Sequence, residues 1–135
     1  MGFKIVNLND VVSATVVATS TASGFPASRL ASTSRPFVRG WRSTSTSSQT
    51  LTFTFSGSVS IVGAVLYDAN FTTATVGGVS RTLTYDPFDS FESKRYKIYV
   101  AFTATASSQT ITIGSQTPTD GASYFKLGKV HFFTT

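Results

Sequence analysis

Leu51-Thr52-Phe53-Thr54-Phe55 alternates large apolar and hydroxylated side chains without a break. In an extended chain successive side chains point to opposite faces, so Leu51, Phe53 and Phe55 share one face, and the threonines take the other. That is the pattern of a half-buried β-strand. Tyr96-Lys97-Ile98-Tyr99-Val100-Ala101-Phe102 repeats it, with Tyr96, Ile98, Val100 and Phe102 in register, and Thr110-Ile111-Thr112-Ile113 repeats it in shorter form. Val59 to Tyr67, which contains Leu66, is the most hydrophobic segment and reads as a central strand. Gly63 inside that segment predicts a bulge or a close backbone approach. Further strands are expected around Phe3 to Val6, Val11 to Ala18, Val79 to Tyr85 and Tyr124 to Phe133, and Gly77-Gly78 between two valine-containing runs is a hairpin-turn signal. The Ser/Thr runs Ser43 to Thr50 and Thr103 to Thr110 read as polar loops leading into strands.

About eight short strands with turn-rich connections and no helical pattern predict an all-β antiparallel sandwich, a jelly roll, as a single domain over residues 1–135. No fixed-period repeat points to a solenoid or propeller. Ser and Thr make up close to a third of the chain, and charged residues only 13%. The β-branched and aromatic residues among them favour pleated strands over disorder, as does a mean hydropathy of +0.12.

The net charge of +5 at pH 7 rests on eleven basic against six acidic residues. The basic residues are scattered, and Lys94-Arg95-Lys97 alternates across a strand, so nucleic acid is not expected as the main partner. Cysteine is absent, which removes disulfides and Cys-ligated metal. The first residues form no signal peptide, and Val11 to Ala18 falls short of the ~20 residues a membrane helix needs. A protein made in a host cytoplasm, without membrane insertion, is expected.

Catalysis needs convergent reactive groups. The single histidine, His131, lies in an aromatic strand and reads as structural. Asp86, Asp89 and Glu92 fit a solvated turn better than a glycosidase pair or a calcium loop. Neither a phosphate-cradling glycine loop nor a dinucleotide fingerprint occurs. No enzyme, cofactor or metal is expected. The aromatic run around Tyr85, Phe88, Phe91 and Tyr96, joined by Arg39, supplies candidate contacts to a protein partner or a glycan; the alternative is that some of these rings turn inward and cap the sandwich. Trp41 and Arg42, with Leu51, Phe53, Phe55 and Leu66, are assigned to the structural core. Arg42 is expected to pin the Gly24-to-Gly40 connection, the alternative being a sugar platform in which Trp41 stacks beside Arg39 or Arg42.

Phe25-Pro26-Ala27-Ser28-Arg29-Leu30 and Ser34-Arg35-Pro36-Phe37-Val38-Arg39-Gly40-Trp41-Arg42-Ser43 resemble an opening seen in discoidin-like, galactose-binding-like jelly rolls. Leu66-Tyr67-Asp68-Ala69-Asn70-Phe71-Thr72 and Asp120 to Val130 are similar to later strands of the same pattern, although Phe55-Ser56-Gly57 stands where an Asp-Leu-Gly turn is usual. Such domains resemble structural proteins of tailed bacteriophages. The resemblance implies a virion protein, a decoration, spike-base or tail-tip module, acting through contacts with other virion proteins and copies of itself. The alternative it leaves open is a carbohydrate-binding module for a host surface glycan.

Overall fold

In the computed structural model, residues 13–31, 40–85 and 96–134 are described, with backbone alone for 84–85 and 96–103. Nine strands lie among them: β1 Ala14–Ala18, β2 Trp41–Arg42, β3 Gln49–Ala69, β4 Thr73–Val76, β5 Val79–Thr82, β6 Thr84–Tyr85, β7 Tyr96–Ile113, β8 Lys126–Leu127 and β9 Lys129–Thr134. A 3-10 turn, Ala27–Ala31, is the one helical element among the described residues. Every strand pairing is antiparallel. The architecture is the all-β sandwich that the alternation predicts.

Two long strands organise it. A straight 21-residue strand would run roughly 70 Å, about five times the ~14 Å radius of gyration of a domain this size. β3 must therefore bend, and its ladder shows where. Its pairing with β7 shifts register between Thr54 and Val59, between Ile61 and Gly63, and between Leu66 and Ala69. Before the first shift β3 lies in one sheet, ordered β1, β3, β7, β4, β5; beyond it β3 and β7 continue into a second sheet flanked by β9 and β6. The exposed Ser56, Gly57 and Ser58 form the corner, in place of a strand-ending turn. The bulge signalled by Gly63 is present, and it moves the inward set from Ile61 to Ala64 and Leu66.

Leu51, Phe53 and Phe55 point into the core, at 0, 0 and 5% exposure. Phe53 and Phe55 meet Phe132 of β9 edge-on, at 5.1 and 5.7 Å between centroids. These contacts join the two sheets, since Phe132 sits on the second. Truncating such a buried ring costs about 3–5 kcal/mol. The hydroxyls take the opposite face of the first sheet, where register aligns Thr15, Thr54 and Ser108 in one row and Thr50, Thr112, Thr75 and Ser80 in another. Part of the Ser and Thr content is thus a property of one sheet face, and much of the rest lies in loops such as Ser43 to Ser48.

Gly77 and Gly78, at φ 63° and 76°, close a two-residue hairpin between Val76 and Val79. Positive φ at both positions is the type I′ requirement. One expectation fails. Thr103 to Thr110 is no loop but part of β7, paired through Thr105 with Ser60 and through Ser108 with Thr54. Ala104 and Ala106 are half-buried while Thr105 and Ser107 are exposed, so the alternation persists with side chains too small to look hydrophobic. The expected strand at Phe3 to Val6 falls outside the described residues.

Candidate functional site

The connections that follow β1, β3 and β7 converge on the short ribbon formed by β2 and β8. Trp41 pairs with Leu127, and Arg42 with Lys126. Trp41 and Leu127 turn inward at 0 and 1% exposure, leaving Arg42 and Lys126, both half-buried, on the outer side. The Trp41 indole N–H donates to the Ser20 carbonyl at 2.9 Å, which satisfies its polar atom and ties the β1–β2 connection down. A fully buried ring cannot stack on a sugar, so Trp41 serves no platform. Gly40 explains how the ribbon closes: a Cβ there would overlap the Leu127 carbonyl oxygen and lie 2.6 Å from Gly128 Cα.

Polar side chains fix the surrounding loops. Asn70 is 1% exposed, yet every part of its amide is used. Its Nδ2 donates to Asp120 Oδ1 at 3.1 Å and to the Tyr124 carbonyl at 2.9 Å, and its Oδ1 accepts the Lys126 N–H at 2.7 Å. Asp120 Oδ1 also caps its own turn by accepting the Ala122 N–H. Gln116 staples the β3–β4 connection, accepting from the Thr72 and Thr73 N–H groups and donating to the Thr73 and Gly114 carbonyls. Ser43 exchanges hydrogen bonds with Phe125 in both directions. Buried polar groups satisfied in this way hold a loop cluster as rigidly as apolar contacts do.

On that support stands a half-exposed group of Phe25, Arg42 and Tyr124. The Arg42 guanidinium carbon lies 3.9 Å from the Phe25 ring centroid and 4.7 Å from that of Tyr124. Of the Gly24-to-Gly40 connection, Arg42 meets the face of Phe25, and among the described residues it reaches no carbonyl there. The backbone helps, as the Ala22 N–H donates to the Arg42 carbonyl. Lys126 stands beside Arg42 with Asp120 Oδ2 3.9 Å from its Nζ. The result is a basic, aromatic surface on a rigid base.

Of the contacts expected from sequence, Arg39, Phe88 and Phe91 lie outside the described residues, as do Asp86, Asp89 and Glu92. Tyr85 and Tyr96 are Cα partners on β6 and β7, and Tyr96 also pairs with Ala69 at the end of β3. The Tyr85–Tyr96 pair therefore sits beside Ala69, the neighbour of Asn70. Leu66 is fully buried. His131 is 4% exposed and edge-on to Tyr67 and Phe133, at 5.6 and 6.4 Å. Lys129 is 5% exposed, and that burial lowers its ammonium pKa from the usual 10.5. Among the described residues no group of three His, Asp or Glu could hold a metal ion, and no helix is long and apolar enough to cross a membrane. Sequence reasoning missed Phe25, Asn70, Gln116, Tyr124 and Lys126 as parts of one site.

No protein-family model matches the chain, and neither does any curated protein. Solved structures do. Reduced XRCC1 bound to the DNA pol beta catalytic domain superposes with a TM-score of 0.69 at 15% identity, covering 93% of this chain and 99% of that one. Chitosan-binding module 1, derived from a chitosanase/glucanase of Paenibacillus sp. IK-5, gives 0.64 at 16%, covering 91% and 96%. CpGH89CBM32-4 of Clostridium perfringens, in complex with GlcNAc-α-1,4-galactose, gives 0.65 at 16%, covering 94% of both chains. At such identities the likeness establishes the fold alone: this chain has an all-β jelly-roll sandwich like those of these structures.

Proposed function

We propose that the chain is a non-enzymatic carbohydrate-binding module whose contact surface is the loop end of the sandwich. The observation that carries the reading is the half-exposed Phe25, Arg42 and Tyr124 group on its hydrogen-bonded base. Sugar rings offer apolar faces and hydroxyl edges, which call for aromatic surface beside fixed donors and acceptors. Phe25 and Tyr124 supply the first, and Arg42, Lys126 and Asp120 the second. Fold neighbours that carry sugars, such as the C. perfringens module with its disaccharide, support the reading. Tyr85, Phe88, Phe91, Tyr96 and Arg39 are proposed as further contacts, since Tyr85 and Tyr96 pair with each other and Tyr96 pairs with Ala69, next to Asn70.

A glycan array with the purified chain, followed by titration of the hits, tests this. Binding should fall at least tenfold in Tyr124→Ala, with the fold retained. An array without hits, or hits indifferent to Tyr124 and Phe25, would reject the proposal.

A second reading is a protein-docking module. It is favoured by the structure of XRCC1 in complex with a protein partner, and by β1, a sheet edge among the described residues, where Val17 is 70% exposed. Assembly into a phage particle would be one form of it, but no similar structure cited above is a virion protein. Cross-linking to a partner through β1, with no glycan bound, would favour this reading.

A further inference from the structure

Arg42 and Lys126 are direct partners across the β2–β8 ribbon, on its outer side. Like charges at such positions repel, because their Cβ atoms stand about 5 Å apart. Among the described residues one carboxylate answers them: Asp120 reaches Lys126 at 3.9 Å, and Asp120 is already engaged with Asn70 and Ala122. Arg42 has ring faces against its guanidinium and, among the described residues, no carboxylate or carbonyl on its N–H groups. Stacking on the faces of a guanidinium leaves its in-plane donors available, and that planar fork matches the two oxygens of an oxyanion. The rings also fix the side chain before any ligand arrives, so little conformational freedom remains to be lost on binding.

We infer that the ligand of this surface is an anionic saccharide, whose carboxylate or sulfate is received by Arg42 and Lys126 while its ring lies along Tyr124. The inference rests on the carbohydrate-binding reading and names the ligand class for the same site. A neutral sugar would bring no counter-charge to the pair beyond the Asp120 carboxylate at Lys126. An acidic one relieves that repulsion and fills the donor edges in the same contact. Asp120 then sets the orientation, because it repels the anion and accepts from hydroxyls on the far side of the sugar ring.

Calorimetric titration of the whole chain tests it with four probes: tetragalacturonate, its methyl ester, a carrageenan tetrasaccharide, which carries sulfate and no carboxylate, and inorganic polyphosphate. At least one acidic saccharide should bind tenfold or more tightly than the neutral ester, with affinity falling as salt is raised. The two acidic arms tell carboxylate from sulfate. Arg42→Lys, which keeps the charge but not the fork, should weaken binding severalfold, and so should Lys126→Ala. Arg42→Lys is chosen because Arg42→Ala would also release Phe25; the melting temperatures of both variants should stay within a few degrees of wild type. Equal affinity for the ester and the acid would overturn the inference while leaving the carbohydrate-binding reading intact. Polyphosphate binding as tightly as the saccharides would also overturn it, since the site would then recognise charge without sugar. If a glycan array is silent as well, both fall together.

Discussion

Replacing Asn70 by Asp alters one atom and leaves the volume of the side chain unchanged, which makes it a clean probe of the loop-end base. Asn70 Nδ2 gives two hydrogen bonds, to Asp120 Oδ1 and to the Tyr124 carbonyl, from a site 1% exposed. Asn70→Asp turns that donor into an acceptor facing two acceptors, one of them a carboxylate. An uncompensated buried charge costs about 3–5 kcal/mol. At about 2.1 cal/mol/K of unfolding entropy per residue, 135 residues give about 0.28 kcal/mol/K, so a 4 kcal/mol loss lowers the melting temperature by about 14 °C. The pH dependence follows from the same geometry. The new carboxyl is buried among acceptors, so its folded pKa rises above the unfolded value of about 3.9. Protonated, it can donate again. The deficit relative to wild type is therefore full at neutral pH and shrinks as pH falls through the folded pKa towards 4. Thermal unfolding followed by circular dichroism at pH 7 and pH 4 reads both quantities. A deficit below about 3 °C at pH 7, or one that widens on acidification, would refute the assignment of Asn70 as the hub of this end.

Other substitutions probe neighbouring parts. Trp41→Ala removes a fully buried ring and should cost about 3–5 kcal/mol, or some 10–18 °C, whereas Trp41→Phe forfeits the Ser20 hydrogen bond and part of the ring and should cost less than half of that; similar losses for the two would show that the bond, not the ring, holds the ribbon. Gly40→Ala forces a methyl against the Leu127 carbonyl and should destabilise well beyond the ±0.5 kcal/mol of an ordinary surface change; a neutral result by thermal melting would mean that β2 and β8 are not held this closely. Lys129→Met should match or exceed wild-type stability at pH 7. Burial depresses the Lys129 pKa, so its charge opposes folding below the folded value, and that handicap fades as pH rises towards 10.5; a gap between the two proteins that grows with pH would contradict the burial.

What could be read from sequence was what depends on neighbours along the chain. The Leu51, Phe53, Phe55 alternation gave the core face, Gly77-Gly78 the hairpin and Gly63 the bulge, because each is a local backbone requirement. The continuity of β3 through Ser56 to Ser58, and of β7 through Thr103 to Thr110, was hidden by small polar residues that form strands only because a partner strand lies beside them. The loop end was hidden for a different reason. Asn70 touches Asp120, Tyr124 and Lys126, and Arg42 touches Phe25 and Tyr124, all far apart in the chain. No spacing rule connects such residues before the fold exists.

The same distinction explains why family resemblance reached the architecture but not the partner. Of the residues that carry it, Trp41 is fully buried under the ribbon, Leu30 is fully buried in the 3-10 turn, and Leu66, Asn70 and Leu127 are likewise interior. They report how the sandwich closes, which does not by itself say what it binds. Partner choice rests instead on half-exposed positions that the closure merely displays. Phe25, Arg42, Tyr124 and Lys126 are half-buried and lie outside the core cluster that the two sheets share. A basic pair set across the ribbon, with a carboxylate beside the lysine and two rings holding the arginine, is a choice the jelly roll did not require. That is why the ligand is sought at Arg42 and Lys126, and why charge reversal by Lys126→Glu should abolish binding of an acidic sugar while the sandwich melts within a few degrees of wild type.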